Sequence, residues 1–555
     1  MSHSSLRRAV RRAALVTCLA GAPLRFAGAQ LLPSRAAARI DSLFARFTAA
    51  TPGCALLVRR AGTSVYGHGY GLASLELGVP ISTSTVFDIG STSKQFTAAS
   101  VALLALDGKL SLDDDIRKYV PELPDLGARV TLRHLLTHTS GWRDYIDIMS
   151  LEGWDERDRT TDDDALNALR RQRALNFQPG TEFRYSNTGY FLMSLVVRRV
   201  SGQSLADFAQ QRLFEPLGMH DTRYLTDTRT VVLRKATAYA PGSGRWNVAM
   251  SNWEQIGDGG VQTSVEDLAK WDANLASGTL GGRPLLDLLH GTTHLADGAP
   301  VGYGLGLMVD EYHGHRRVHH GGAWAGYRAM SMRFPDDSLS VLLTCNAANA
   351  NTMSLATGVA DVLLSPATVL ASGAPRAANS PSATVPLASL AGVFFDSTVG
   401  QIMILRVRND SLAMDAGRGV ALLPLGDNRF RHPVSGSELR FQPSSGGSAR
   451  WVRSASDGHP VVYERVEAAP STLRPADYAG TYASAEAGTE WTIVARDSGL
   501  VAQPRRGDDV VLRPVFRDAF AGAGLVRFER DANGKPIALT VSTRGVHGLR
   551  FTRVR

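Results

Sequence analysis

An α+β fold is predicted, on three observations: strand-like runs lie at both ends of residues 36–364, helical spacing fills the interval between them, and the last 170 or so residues alternate in short strands. At 555 residues the chain exceeds what one hydrophobic core supports, since domains usually run to about 100–200 residues. Several domains are expected.

Residues 1–29 read as a signal peptide. Arg7, Arg8, Arg11 and Arg12 precede an apolar run from Ala13 to Ala22, and Ala27-Gly28-Ala29 offers a small-residue cleavage site. Pro23 and Arg25 interrupt the apolar part, and the arginine pairs leave a twin-arginine route open; the competing reading is a basic tail. Export places the protein in the periplasm or outside the cell. No run of about 20 uninterrupted apolar residues exists, so no transmembrane segment is expected.

From residue 30 to 364 the elements follow in order. Apolar residues recur at helical spacing from Ala36 to Phe47, and Pro52-Gly53 turns the chain into a strand from Cys54 to Arg59. Val65 to Gly71 is the return strand, and Ser91 to Leu106 has the alanine-rich pattern of a buried helix with Ser91 at its start. Between Leu110 and Gly257 the pattern is mostly helical, with loops at Pro121–Pro124, Thr137–Gly141 and Pro179-Gly180 and a short amphipathic helix from Leu205 to Leu213. Strands return at Gly304–Val309, Arg317–His320, Tyr327–Phe334 and Leu339–Cys345, and Leu355–Leu364 closes as a helix. Residues 365–386, rich in Ala, Ser and Pro and nearly uncharged, read as a linker.

Beyond the linker the sequence repeats at an offset of about 88 residues. Leu390-Ala391-Gly392-Val393-Phe394 returns as Tyr478-Ala479-Gly480-Thr481-Tyr482, Asp410-Ser411 as Asp497-Ser498, and Arg440-Phe441 as Arg527-Phe528. The copies, 387–468 and 469–555, predict two small antiparallel barrels of lipocalin-like kind, or one larger barrel built from two halves.

The formal charge of +8 includes five arginines and no acids in the first 29 residues, so the processed chain carries only about +3. With no interleaved basic and aromatic stripe, a nucleic-acid role loses its support. Of three cysteines, Cys18 lies in the presumed signal. Cys54 and Cys345 meet if their strands are antiparallel neighbours; two separately buried thiols are the alternative.

Three short elements carry the chemistry: Ser91-Thr92-Ser93-Lys94, Tyr185-Ser186-Asn187 and His320-Gly321-Gly322. Residues three apart share a helix face, so Lys94 lies beside the Ser91 hydroxyl, which needs a base to become a nucleophile. Either Lys94 or Tyr185 can serve as that base, and the residues alone leave both open. Asn187 offers a donor and an acceptor for positioning lysine and substrate. Gly321 and Gly322 let a substrate backbone lie against a strand, and the amides of Ser91 and Ala323 are candidates for an oxyanion hole. His313, His315, His319 and His320 lack a ligand spacing that suits a metal, and Gly302-Tyr303-Gly304-Leu305-Gly306 follows no strand-to-helix turn. Neither metal nor cofactor is expected.

Together these elements resemble those of the penicillin-recognising serine hydrolases, which include serine β-lactamases, D-alanyl-D-alanine carboxypeptidases, D-aminopeptidases and related esterases. Thr131–Gly141, Phe177-Gln178-Pro179-Gly180 and Gly257-Asp258-Gly259-Gly260 look like the class C branch. The resemblance implies an antiparallel sheet drawn from both ends of the domain, packed on a helical lobe, with the site between them. It implies Ser91 as acylated nucleophile, Lys94 and Tyr185 in proton transfer, and Asn187, His320, Gly321 and Gly322 against substrate. Where class C β-lactamases carry lysine in the third element, this chain has His320, mostly uncharged at neutral pH, which disfavours efficient capture of a β-lactam carboxylate. A small-molecule or short-peptide substrate is implied, a D-residue peptide or cell-wall fragment first, with an esterase or weak β-lactamase as runner-up. A non-catalytic peptidoglycan-binding protein is the reading from another class. Oligomeric state is left open.

Overall fold

The computed structural model describes residues 32–364, 386–414, 419–433, 438–442, 450–454, 460–469, 474–496 and 499–555. The expected signal peptide, all of the expected linker but Pro386, and the Asp497-Ser498 half of one repeat match lie outside the described residues.

Six strands form one antiparallel sheet: β1 (Cys54–Arg60), β2 (Thr63–Tyr70), β3 (Met308–Tyr312), β4 (His315–Trp324), β5 (Tyr327–Phe334) and β6 (Leu339–Cys345), in the order β3-β4-β5-β6-β1-β2. The first and last parts of the domain thus meet at the β6–β1 junction, where Cys54 stands opposite Cys345 and the two form a disulfide. Strand alternation sorts the side chains. Leu56, Val58, Met330, Met332, Val341 and Leu343 face a cluster completed by α1 (Ser34–Leu43) and the closing helix Thr352–Leu363, while Ala55, Leu57, Ala329 and Leu342 face the helical lobe.

That lobe is built around α2 (Lys94–Leu106), buried on nearly every side, with α3 (Tyr145–Glu152), α4 (Asn187–Ser201), α5 (Val265–Ser277) and α6 (Gly282–His290) around it. Several expectations need correction. Ser91 sits in a 3₁₀ turn, Gly90–Ser93, just ahead of α2, so Lys94 is the first α-helical residue. The strand expected at Gly304–Val309 begins at Met308, because Gly304 N–H turns back onto the Leu307 carbonyl at 2.8 Å. The helix expected at Leu205–Leu213 is α-helical only to Ala209 and widens into a π turn at Gln210–Phe214. Residues 110–257 are short helices joined by long loops rather than mostly helix.

The repeat is structural. Strands Gly392–Asp396 and Gly480–Ser484, and Gln401–Arg408 and Thr489–Arg496, start 88 residues apart. The second copy is a closed barrel of eight strands. In the first copy the strand corresponding to Val510–Phe516 is broken at Leu422 into Val420–Ala421 and Leu423–Gly426, which become the two ends of a nine-stranded sheet. Leu422 alone separates these ends and its N–H bonds to the Leu412 carbonyl at 2.8 Å, so chain continuity draws the sheet round on itself. The second barrel shares a continuous apolar core with the helical lobe, and its Trp491 indole donates to the Leu151 carbonyl at 3.0 Å. The first barrel keeps its own core and meets the second through Phe395, Phe516 and Leu525.

The disulfide closes a span of 291 residues. Replacing Cys54 and Cys345 by alanine is expected to lower stability by roughly 2–5 kcal/mol, read as an earlier first transition in urea; an unmoved transition would show that the cross-link contributes nothing.

Candidate active site

Two glycines bring β4 against the turn that carries Ser91. A Cβ on Gly322 would stand 1.8 Å from the Ile89 carbonyl oxygen, and one on Gly90, whose φ is +49°, would stand 2.7 Å from the Ala323 nitrogen. Only side-chain-free backbone allows that approach, and it lays the Ala323 amide beside the Ser91 turn. β3 pairs with β4 only as far as His319, so the edge from His320 to Trp324 is left to face the turn. The buried Asp88 holds the turn from below, accepting the Gly90 N–H at 2.7 Å.

In a 3₁₀ turn residues i and i+3 eclipse, which stacks Lys94 on Ser91. Lys94 is fully buried, and its Nζ donates to Ser91 Oγ at 3.0 Å, Asn187 Oδ1 at 2.8 Å and the Asp258 carbonyl at 2.7 Å. Three acceptors match the three donors of an ammonium group. The Asp258 carbonyl is within reach because Gly257, at φ +109°, packs where a Cβ would lie 2.4 Å from the Tyr190 carbonyl oxygen of α4.

Asn187 opens α4, and its fixing point is Asp144. Asp144 Oδ2 accepts both the Asn187 backbone N–H, at 2.5 Å, and its side-chain amide, at 2.9 Å, while Asp144 Oδ1 caps α3 by accepting from Ile146 at 2.9 Å. Burial, and next the neighbouring Asp147, raise the Asp144 carboxyl above the usual carboxylate range. Tyr185 presents its ring to Lys94, with Nζ 4.9 Å from the centroid, and its buried hydroxyl has no partner among the described residues. His138 backs this ring at 4.2 Å between centroids and accepts the Ser186 N–H on Nδ1 at 3.2 Å.

His320 lies on the strand facing Ser91, as expected, but both ring nitrogens are engaged. Nδ1 donates to the Gly321 carbonyl at 2.7 Å, and Nε2 takes the Tyr303 hydroxyl at 2.9 Å. Burial, then the nearby Lys94, pushes the imidazole down to about 3, so it is uncharged at neutral pH. His315 and His319 are tied separately to Asp337 and Asp310, at 2.7 and 3.2 Å, and no cluster able to hold a metal occurs among the described residues.

The second barrel completes the wall. Its loop between Pro536–Ser542 and Leu549–Arg553 places Gly545 where the carbonyl accepts the Asp144 N–H at 2.9 Å, while Thr543 Oγ1 and the Gly545 N–H donate to Asp147 at 2.5 and 2.8 Å. Gly545 fits because a Cβ there would stand 2.3 Å from that of Asp144. Arg544 holds its guanidinium 5.7 Å from the Tyr185 ring centre. A cavity of about 810 Å³ opens over Ser91, walled by Tyr185, Asn187, Gly321–Trp324, Trp253 and Arg544.

A serine hydroxyl bonded to a sealed lysine at the floor of such a cavity is the equipment of acyl transfer, and the chain is a serine hydrolase. Residues 40–364 match the family described as Beta-lactamase, more than half of the chain, and the protein belongs to that family. It is 27% identical over 526 residues to a D-aminopeptidase of Brucella melitensis biotype 2 (strain ATCC 23457), covering 91% of this chain and 96% of the relative. Among solved structures, a penicillin binding protein from Bacillus halodurans superposes with a TM-score of 0.51 at 25% identity, covering 60% of this chain and 99% of that one. The octameric penicillin-binding protein homologue from Pyrococcus abyssi shares the fold, with a TM-score of 0.54 at 22% identity over 78% of this chain and 99% of that one.

Sequence reasoning thus places Ser91, Lys94, Tyr185, Asn187, Gly321, Gly322 and Ala323 round one cavity, and the structure brings them together. It missed Asp88, Asp144, Tyr303 and the Thr543–Gly545 loop; Asp144 meets Asn187 across 43 positions and the loop meets Asp147 across 398. Gly545→Ala is expected to lower kcat/KM about 10–100-fold by displacing Asp144 and Asn187; an unchanged value would show that the loop does not support the site.

His320 also predicts a pH effect. Its imidazole is held near 3 against about 6.5 in an unfolded chain, so its contribution to stability is complete above pH 6.5 and is lost as pH falls towards 3. In His320→Gln the loss of unfolding free energy between pH 6 and 4 should be shallower by about 1.4 kcal/mol per pH unit. Urea titrations at stepped pH measure this, and parallel profiles for the two proteins would contradict it.

Proposed function

We propose that this protein is an exported hydrolase that acylates Ser91 and cleaves an amide bond beside a D-residue, in a short peptide or cell-wall fragment. The observation that carries the proposal is the Ser91–Lys94–Asn187 chain of hydrogen bonds under an open cavity, with the unpartnered Tyr185 hydroxyl beside it. Ser91 Oγ attacks the carbonyl carbon and its proton passes to the Lys94–Tyr185 pair; the C–N bond breaks as that proton is delivered to the leaving amine. Water then attacks the ester and gives its proton to the same pair, which returns a proton to Ser91 Oγ as the acyl C–O bond breaks. The amides of Ser91 and Ala323 receive the developing oxyanion, an interaction worth about 2.7–4 kcal/mol per donor.

The likeness to a D-aminopeptidase runs through both C-terminal repeats, which favours a D-residue substrate over a free β-lactam. The uncharged His320, in place of a cationic lysine, points the same way. The Cys54–Cys345 disulfide suits an oxidising compartment and supports export.

A fluorophosphonate probe is expected to add its mass to the Ser91 peptide of wild type and not of Ser91→Ala. Lys94→Ala and Tyr185→Phe should each lower kcat on a D-aminoacyl anilide by about 10²–10⁴-fold. Folded protein that takes no label sinks the acyl-enzyme, and equal rates on D- and L-aminoacyl anilides sink the substrate assignment alone.

A further inference from the structure

A second cavity, of about 470 Å³, lies at the other end of the strands that frame the site and shares no wall with the Ser91 cavity. Its floor is set by register: Arg59 on β1, Ser340 on β6 and Arg333 on β5 stand side by side across three neighbouring strands. Arg316 on β4 points to the same face, being two residues from Val318, the partner of Arg333. The roof is α5 with Asp272 and one side of α6, where Arg283, Asp287 and His290 follow at helical spacing.

The charges there do not cancel. Asp272 serves Arg59 at 2.5 Å and Arg333 at 3.6 Å, and also accepts from Ser340 at 2.8 Å. Asp287 is taken by Arg283 at 2.6 Å. Four guanidinium groups therefore share the two carboxylates of the lining; Arg316, exposed at the rim opposite Glu311 of β3, has no hydrogen bond or ion pair among the described residues. Burial lowers Arg333, with Arg59 and Arg316 adding to the effect against Asp272, and burial followed by Arg333, Arg316 and Arg283 holds His290 down to about 4. The lining retains a surplus of positive charge, offset only at the rim by Glu311, in a concave, partly desolvated space, where an anion gains most.

We propose that this cavity binds a phosphoryl-bearing oxyanion, with Arg316 as its free ligand and the Arg59–Arg333 row as a fixed cationic floor. The volume is in the range of small-molecule sites, so a phosphate ester fits as well as the bare ion. A soluble phosphate and the headgroup of an anionic lipid share this chemistry, and the test separates them. Full-length processed protein is titrated calorimetrically with inorganic pyrophosphate and with glycerol 3-phosphate, using acetate as the monovalent control, and is sedimented with phosphatidylglycerol or phosphatidylcholine vesicles. Saturable binding of a soluble phosphate below about 1 mM, or retention on phosphatidylglycerol alone, is expected, and which of the two is seen identifies the source. Arg316→Glu should weaken it about tenfold or more and leave ester hydrolysis at Ser91 unchanged; Arg316→Gln, which removes the charge without reversing it, carries the same reading should the first variant fold poorly. Absence of binding in both arms, equal binding by acetate, or undiminished binding by the Arg316 variants would overturn the proposal.

Discussion

The burial of the Lys94 side chain is the constraint from which the catalytic domain is best understood. Removing an ammonium-sized charge from water costs several kcal/mol, and only well-placed acceptors offset it. Here the acceptors come from three separate segments: the Ser91 turn, the first residue of α4 and the Asp258 carbonyl. Each segment is then held by something else. Gly90 and Asp88 seat the turn, Asp144 anchors Asn187, and the close approach of Gly257 to α4 presents the carbonyl. A displacement in any of them leaves a buried donor unmatched, so the reactive geometry and the local packing are one network.

Parts of this arrangement were legible in the sequence because they obey local rules. Alternation and flanking turns define Tyr327–Phe334 and Leu339–Cys345 to the residue. Ser91 and Lys94 were paired correctly although the turn is 3₁₀, because an i, i+3 relation survives either helix geometry. Gly304 misled because an apolar run bounded by glycine looks the same whether it extends or turns back on Leu307. Asp144 was invisible for a different reason: a carboxylate after Arg143 looks like any loop acid until Asn187, 43 residues on, supplies its donors. His320 was located correctly, but its engagement by Tyr303 could not be read, since hydrogen-bond partners leave no spacing signal.

Electrostatics distinguishes the two cavities. Around Ser91, Asp88 is engaged by Gly90 and Gln262, Asp144 by Asn187, Asp147 by the barrel loop and Asp258 Oδ2 by the Tyr145 hydroxyl, while His320 is neutral. Arg544 faces the opening with its guanidinium over the Tyr185 ring. At the far end of the same strands the imbalance is larger, with Arg59, Arg283, Arg316 and Arg333 set against Asp272 and Asp287. One sheet therefore carries a catalytic surface at one end and a cationic surface at the other.

The two copies of the C-terminal repeat have diverged in what they touch. The second is fused to the helical lobe through Trp491 and the Thr543–Gly545 loop, whereas the first leans on its sibling through a small apolar contact. A hydrogen bond joining Asp147 to Gly545 spans 398 positions of chain. During synthesis, the nucleophile and its lysine emerge long before the segment that braces them, so the pocket stays unfinished until the ribosome has passed that point.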